Sequence, residues 1–311
     1  MPRWTPADLP SLQGRTHLVT GANNGLGFQT ARMLARAGGR VLLACRDEGR
    51  GAAAVDRIVA EVPDAELTVV VCDLADQDAV AEAADAVRGL TDRLDALVCN
   101  AGVMATPARL TVDGFELQLA TNHLGHHALV GRLLDLVLAA PAGRVVTVSS
   151  IAARRGRIAL DDLNRTRSYD PWGAYAQTKL ANLMFALELQ RRFEAAGAPA
   201  AALAAHPGYS DTGLQEVGPQ MSGSAIGKVA MKVGNALFGQ SEEAGAVPQV
   251  FAAAAPEARA GGYYGPSGPG EVWGRYPTEA RIVSQARDEQ VAERLFELSA
   301  ELTGVTVDPR S

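Results

Sequence analysis

The chain has 311 residues, 47% of them apolar, and a formal net charge of −6 with its basic residues spread rather than clustered. That is core enough for one large α/β unit and lacks the basic stripe of a nucleic-acid binder. No apolar run reaches the ~20 residues of a membrane span, the first twelve residues hold no signal-peptide core, and Cys45, Cys72 and Cys99 show neither CxxC pairing nor a disulfide framework. A cytoplasmic protein is the expectation.

In chain order, short Val/Leu-rich runs at 16–20, 40–45, 67–72, 94–99, 144–149 and 199–205 alternate with helical segments at 25–37, 47–61, 76–88, 113–138 and 174–196. Continuous apolar runs suit strands buried on both faces. Asp47, Asp76 and Asp113 stand at N-cap positions. Beyond Tyr209 the pattern changes: several glycines and apolar clusters, with Met221, Met231, Leu237 and Phe238, read as a helical lid insertion at about 210–240. A helix at 241–254, a short strand at 262–264, a Gly/Pro-rich turn at 265–274 and a helix at 278–302 follow. Strand, helix, strand in repetition predicts one doubly wound α/β domain over 1–311, with a seven-stranded, mainly parallel sheet and a C-terminal helical extension at about 275–305.

Between the first strand and first helix lies Thr20-Gly21-Ala22-Asn23-Asn24-Gly25-Leu26-Gly27. Glycines let a backbone turn tightly and approach a pyrophosphate, and a helix N-terminus offers it free N–H groups. The second strand ends on Cys45 and Arg46 where an NAD site wants an acid for the ribose 2′-hydroxyl. An arginine fork suits a 2′-phosphate, so NADP is favoured over NAD, and Asp47 is more simply a helix cap.

Tyr175 and Lys179 are four apart on one face of a predicted helix. A free phenol near pKa ~10 is a poor base at neutral pH, and a neighbouring ammonium is expected to lower it.

With these pieces in order, joined by Asp73-Leu74, Asn100-Ala101-Gly102, Asn122-His123-Leu124-Gly125-His126, Ser149-Ser150 and His206-Pro207-Gly208, the chain resembles the short-chain dehydrogenase/reductase superfamily from Trp4 to Val305. It is most similar to the retinol-dehydrogenase-like and WW-domain-oxidoreductase-like branch and its bacterial relatives. The resemblance implies a Rossmann fold and a soluble NADP(H)-dependent oxidoreductase that interconverts carbonyl and alcohol. In that reading Tyr175 is the proton donor, Ser150 holds the carbonyl oxygen, and Lys179 bonds the nicotinamide ribose. Asn122 positions a water joining Lys179 to solvent. Asp73 holds the adenine with Leu74 beside it, and Asn100, Ala101 and Gly102 line the inner ribose. Pro207, Gly208 and Thr212 meet the nicotinamide half. Ser149 is the runner-up for the serine role. The gap between Ser150 and Tyr175 is about twice the usual length; its extra segment, 154–172, carries Asp161-Asp162-Leu163-Asn164 and Trp172, as in the retinol-dehydrogenase-like branch.

His123, His126 and His127 have metal-like spacing but no acidic or thiol partner nearby, so packing is the better account. His206 reads as structural. Met104, Trp172 and Tyr209, with the insertion's apolar residues, suit a lipophilic carbonyl or alcohol substrate. Segments 115–138 and 180–193 match helices that often make a dimer face in this superfamily, which implies a homodimer or homotetramer, although the branch also includes monomers. Two other readings stay open: reduction of activated C=C bonds, as in light-dependent protochlorophyllide reductases, and a non-catalytic NADP-binding redox sensor.

Overall fold

All five residues of β1 (Thr16–Thr20) are buried, because its alternate side chains enter two different cores. Leu18 joins Leu42 and Leu97 on one face of the sheet, and Val19 joins Val41, Leu43 and Val98 on the other. The computed structural model describes residues 3–209 and 240–310. Within them the sheet has the order β3-β2-β1-β4-β5-β6-β7-β8. Its members after β1 are β2 (Arg40–Cys45), β3 (Leu67–Val71), β4 (Ala96–Cys99), β5 (Arg144–Val148), β6 (Ala201–Ala205), β7 (Tyr263–Pro266) and β8 (Pro277–Glu279). The first seven run parallel, and β8 pairs antiparallel with β7.

Helices α1 (Gly25–Arg36) and α2 (Glu48–Val59) cover one face, while α3 (Gln77–Leu90), α4 (Gly125–Leu138) and α5 (Pro171–Ala196) cover the other. Helix α6 (Glu242–Ala254) returns to the first face, and α7 (Glu289–Thr303) packs outside α4 and α5, stacking Phe296 on Phe185 at 5.4 Å. The chain winds outward from β1 to β3, then crosses back to β4. A crevice therefore opens at the C-terminal ends of β1 and β4, where open α/β sheets bind ligands. Among the described residues no helix is long and apolar enough to cross a membrane.

The sheet has eight strands, one more than the sequence predicts. The extra one, β8, is three residues at the sheet's edge and opens on Pro277. Proline is tolerated at a strand start on an edge, and so short a piece leaves no periodic signal. It lies in what reads as the start of the final helix, which begins only at Glu289 with Asp288 as its cap.

The segment 113–138 is not one helix. Asp113 and Gly114 form a turn in which Thr111 N–H donates to Phe115 O at 2.8 Å and Gly114 has φ +79°. The Asp113 carboxylate instead accepts from Gln77 N–H, the first of α3, at 3.1 Å. Glu116 takes the local cap, accepting from Gln118 and Leu119 N–H at 2.9 and 2.8 Å. A π-helical stretch, Ala120–Leu124, then leads into α4.

Candidate active site

A cleft of about 1770 Å³ runs along the C-terminal ends of the parallel strands. Its described lining includes Gly21, Asn23, Asn24, Gly25, Leu26 and Gly27 after β1, and Arg46, Asp73 and Leu74 after β2 and β3. Asn100, Ala101 and Gly102 follow β4, and Ser150, Tyr175, Lys179, Pro207 and Gly208 complete the set. Thr212, Met221, Met231, Leu237 and Phe238, with the predicted lid, lie outside the described residues.

The turn after β1 closes only because Gly27 is bare. A Cβ there would lie 2.3 Å from Gly21 O and 2.5 Å from Asn100 Nδ2. Asn24 stands at the N-cap of α1 without a side-chain capping bond. Asn100 braces this junction: its Nδ2 donates to Thr20 O at 2.8 Å, and its Oδ1 accepts from Gln249 of α6 at 3.1 Å. Thr20 Oγ1 accepts from the N–H groups of Asn100 and Ala101 at 2.9 and 3.0 Å and lies 2.8 Å from His126 Nε2. His126 Nδ1 is 3.0 Å from Asn122 O. A carbonyl only accepts, so Nδ1 carries the proton and Nε2 accepts from Thr20. Burial lowers the pKa of this imidazole to about 4, so it stays neutral.

Asn122 is wholly buried behind the cleft lining. Its Oδ1 accepts from Val103 N–H at 2.7 Å, and its Nδ2 donates to Val103 O and Thr178 Oγ1, both at 2.9 Å. Both amide protons are spent, so this side chain braces the strand-β4 loop against α5 rather than donating to a water.

The two adjacent serines divide their tasks. Ser149 Oγ donates to Lys179 O at 2.7 Å and, with Thr147 Oγ1 on Asn182 O at 2.8 Å, pins α5 to β5. Ser150 lines the cleft with Tyr175, and its Oγ accepts from Ala152 N–H at 3.2 Å. Lys179 Nζ donates to Val148 O at 3.0 Å and lies 5.7 Å from the centroid of the Tyr175 ring. The electrostatics differ from the sequence expectation. Burial pushes the Tyr175 phenol up to about 12 against the smaller, opposing influence of the Ser150 hydroxyl, and burial alone brings Lys179 down to about 8. In this surrounding desolvation is the largest influence, and Tyr175 holds its proton at neutral pH.

The extra segment before α5 is a brace as well as a wall. Asn164 Oδ1 accepts from Glu116 N–H at 2.9 Å, and Leu163 O accepts at 2.9 Å from Nε2 of Gln177, two residues along α5 from Tyr175. Trp172 sets its ring edge-on to Tyr175 at 6.3 Å while remaining 54% exposed, and Met104, Leu110, Val112 and Tyr209 share the lining.

The three α4-side histidines are spent on packing and hydrogen bonds. His123 meets Ser299 at 2.9 Å, and His127 lies edge-on to Phe185 and Phe296. Sequence reasoning missed Arg50, Thr178, Gln249 and Glu271. Gln249, a lone amide in the apolar run of α6, is the one with a legible signal, since a buried amide needs partners. Arg50 is legible as a second cation one turn after Arg46; both are exposed, and neither guanidinium forms a hydrogen bond or ion pair among the described residues.

A family model described as short chain dehydrogenase matches residues 15–222. The chain belongs to the short-chain dehydrogenase family. Retinol dehydrogenase 13 of Homo sapiens is 37% identical over 303 residues, covering 95% of this chain and 86% of that protein. Polyprenol dehydrogenase of Mus musculus is 39% identical over 306 residues, covering 96% and 87%. A crystal structure of an uncharacterized protein from Mycobacterium paratuberculosis is 41% identical with a TM-score of 0.80 and covers 98% of both chains. The chain is thus an oxidoreductase of this family, retinol-dehydrogenase-like in sequence and Rossmann in fold.

Proposed function

We propose that this dehydrogenase interconverts a lipophilic alcohol and its aldehyde or ketone with NADP(H), Tyr175 carrying the proton. The observation that carries the reading is the gathering of Ser150, Tyr175 and Lys179, whose Nζ lies 5.7 Å from the Tyr175 ring, in the same cleft as the glycine turn. The cleft suits a dinucleotide: the turn is held bare of Cβ at Gly27, and α1 offers an N-terminus with no side-chain cap. Arg46 and Arg50, both free on the rim, favour a 2′-phosphate over an unsubstituted ribose. A nicotinamide bound here supplies hydride to a carbonyl carbon, or accepts it from an alcohol carbon.

For reduction, Tyr175 passes its phenolic proton to the substrate oxygen while Ser150 donates a hydrogen bond to the same atom. A phenol that stays protonated at neutral pH is suited to donation. Lys179 supplies positive charge as the phenolate forms. Exposed Leu110, Val112 and Trp172 on the cleft lining favour an apolar substrate body. The names of the two curated relatives, for retinol and polyprenol, point to the same class.

The test follows NADPH absorbance against aldehydes, ketones and enones of increasing chain length. Turnover of long apolar aldehydes is expected, with Tyr175→Phe losing at least about 100-fold in kcat while binding cofactor normally. Enone-only turnover, or a phenylalanine variant near wild-type rate, refutes it.

A further inference from the structure

Glu271 is not glycine, yet it holds φ at +61° directly after Gly270 at +64°. A left-handed backbone is unfavourable for such a residue and persists only where its surroundings over-determine it. The side chain shows what does so. Glu271 Oε2 accepts from Arg154 Nη2 at 2.7 Å and from His206 Nε2 at 3.1 Å, and Oε1 accepts from Arg281 N–H at 3.0 Å. Arg154 belongs to the short helix that follows Ser150 and also bonds Gly270 O at 3.0 Å. His206 is fully buried, and its Nδ1 accepts from Gly208 N–H at 3.1 Å.

The loop carrying Glu271 grips the same turn from its other side. Val272 O accepts from Tyr209 N–H at 2.7 Å, and a Cβ on Gly208 would lie 2.4 Å from that oxygen. Gly208 has φ +69° and no space for a side chain.

We propose that Glu271 is a positioning residue: through Arg154 it fixes the serine-bearing turn, and through the Nε2–H tautomer of His206 it fixes the Pro207-Gly208 turn, so that the two walls of the nicotinamide end are held at one spacing. This rests on the proposed cofactor reading. With Nε2–H donated to Glu271, Nδ1 is obliged to accept from Gly208; without the carboxylate the imidazole is free to reverse. Burial works against the Glu271 charge, but His206, the Arg281 N–H and Arg154 hold its carboxyl at about 2. The brace therefore stays charged over the physiological range.

The experiment titrates NADP and its nicotinamide-free fragment, 2′-phosphoadenosine 5′-diphosphoribose, into wild type, Glu271→Gln and Glu271→Gly. Glycine adopts this φ without strain, so Glu271→Gly removes the carboxylate without adding backbone strain. It is expected to weaken NADP by about tenfold and the fragment by less than about twofold. Glu271→Gln, which keeps an acceptor for His206 but loses the ion pair, should fall between. Nitrogen NMR of His206 should show the Nε2–H tautomer lost in Glu271→Gly. Equal weakening of both ligands, or unchanged NADP binding in Glu271→Gly, overturns the proposal. Wild-type turnover on the carbonyl panel is scored apart. An inactive wild type that still shows the ligand split removes the carbonyl reading alone, and an active one without the split removes only the role of Glu271.

Discussion

Lys179 carries its ammonium into a wall where only 3% of the residue meets solvent, and Val148 O is its recorded hydrogen-bond acceptor. That acceptor is shared with Asn182 Nδ2 at 3.2 Å, so removing the lysine leaves no orphaned carbonyl. Burial lowers its pKa from 10.5 to about 8. Between those values the unfolded chain holds a proton that the folded one does not, so stability rises with pH across that window, and below it the folded state bears the cost of a buried charge. Lys179→Met is therefore expected to lose turnover yet gain about 1–3 kcal/mol at pH 7. The gain should fade toward pH 10. Urea unfolding at both pH values checks this, and a variant less stable than wild type at pH 7 shows the charge is not a burden. Thr20 has the opposite character. Its hydroxyl serves Asn100 N–H, Ala101 N–H and His126 at once. Thr20→Val is expected to cost about 2–3 kcal/mol in the same assay, since one buried and two part-buried groups lose their partner together. A loss under about 0.5 kcal/mol would mean the network relaxes without it.

Among elements, the turn between β1 and α1 has the least freedom. Gly27→Ala places a methyl against backbone oxygen and the Asn100 amide, neither of which can move without opening the junction to β4. Dinucleotide affinity should fall by tenfold or more, with stability lower by about 1–3 kcal/mol. Fluorescence titration of NADPH reads the first, and unchanged affinity would show that the turn adapts. This turn was legible in the sequence, as were the parallel strands, because burial on both faces writes a continuous apolar run. The break in segment 113–138 was not, since a single π-helical stretch of five residues is too short to write a period of its own. Asp113 misled because it caps α3, a partner distant in sequence, rather than its own helix. Ser150 was preferred over Ser149 by motif alone; the sequence does not show that Ser149 spends its proton on Lys179 O. Glu271 gave no signal at all, because its partners come from three separate segments and meet only in the folded chain.

Across the whole molecule, each of the five histidines of the chain is buried. Burial lowers His17, His123 and His126 to about 4 and His127 to about 3, and also lowers His206. Folded imidazoles thus stay neutral where unfolded ones, near 6.5, take up protons. The sign is clear: stability is complete above pH 6.5 and is lost as pH falls toward 4, at up to about 1.4 kcal/mol per pH unit for each group. Denaturant midpoints are expected to drop steeply from pH 7 to pH 5. A midpoint that holds steady over that range would mean these rings are hydrated in solution.

The short strand at the sheet's far rim bears on handling at high concentration. Pro277 has no N–H to offer, and the three residues of β8 present little ladder on which a foreign strand could grow. Fibre-like stacking from that margin has little template to begin on, even though seven strands lie behind it.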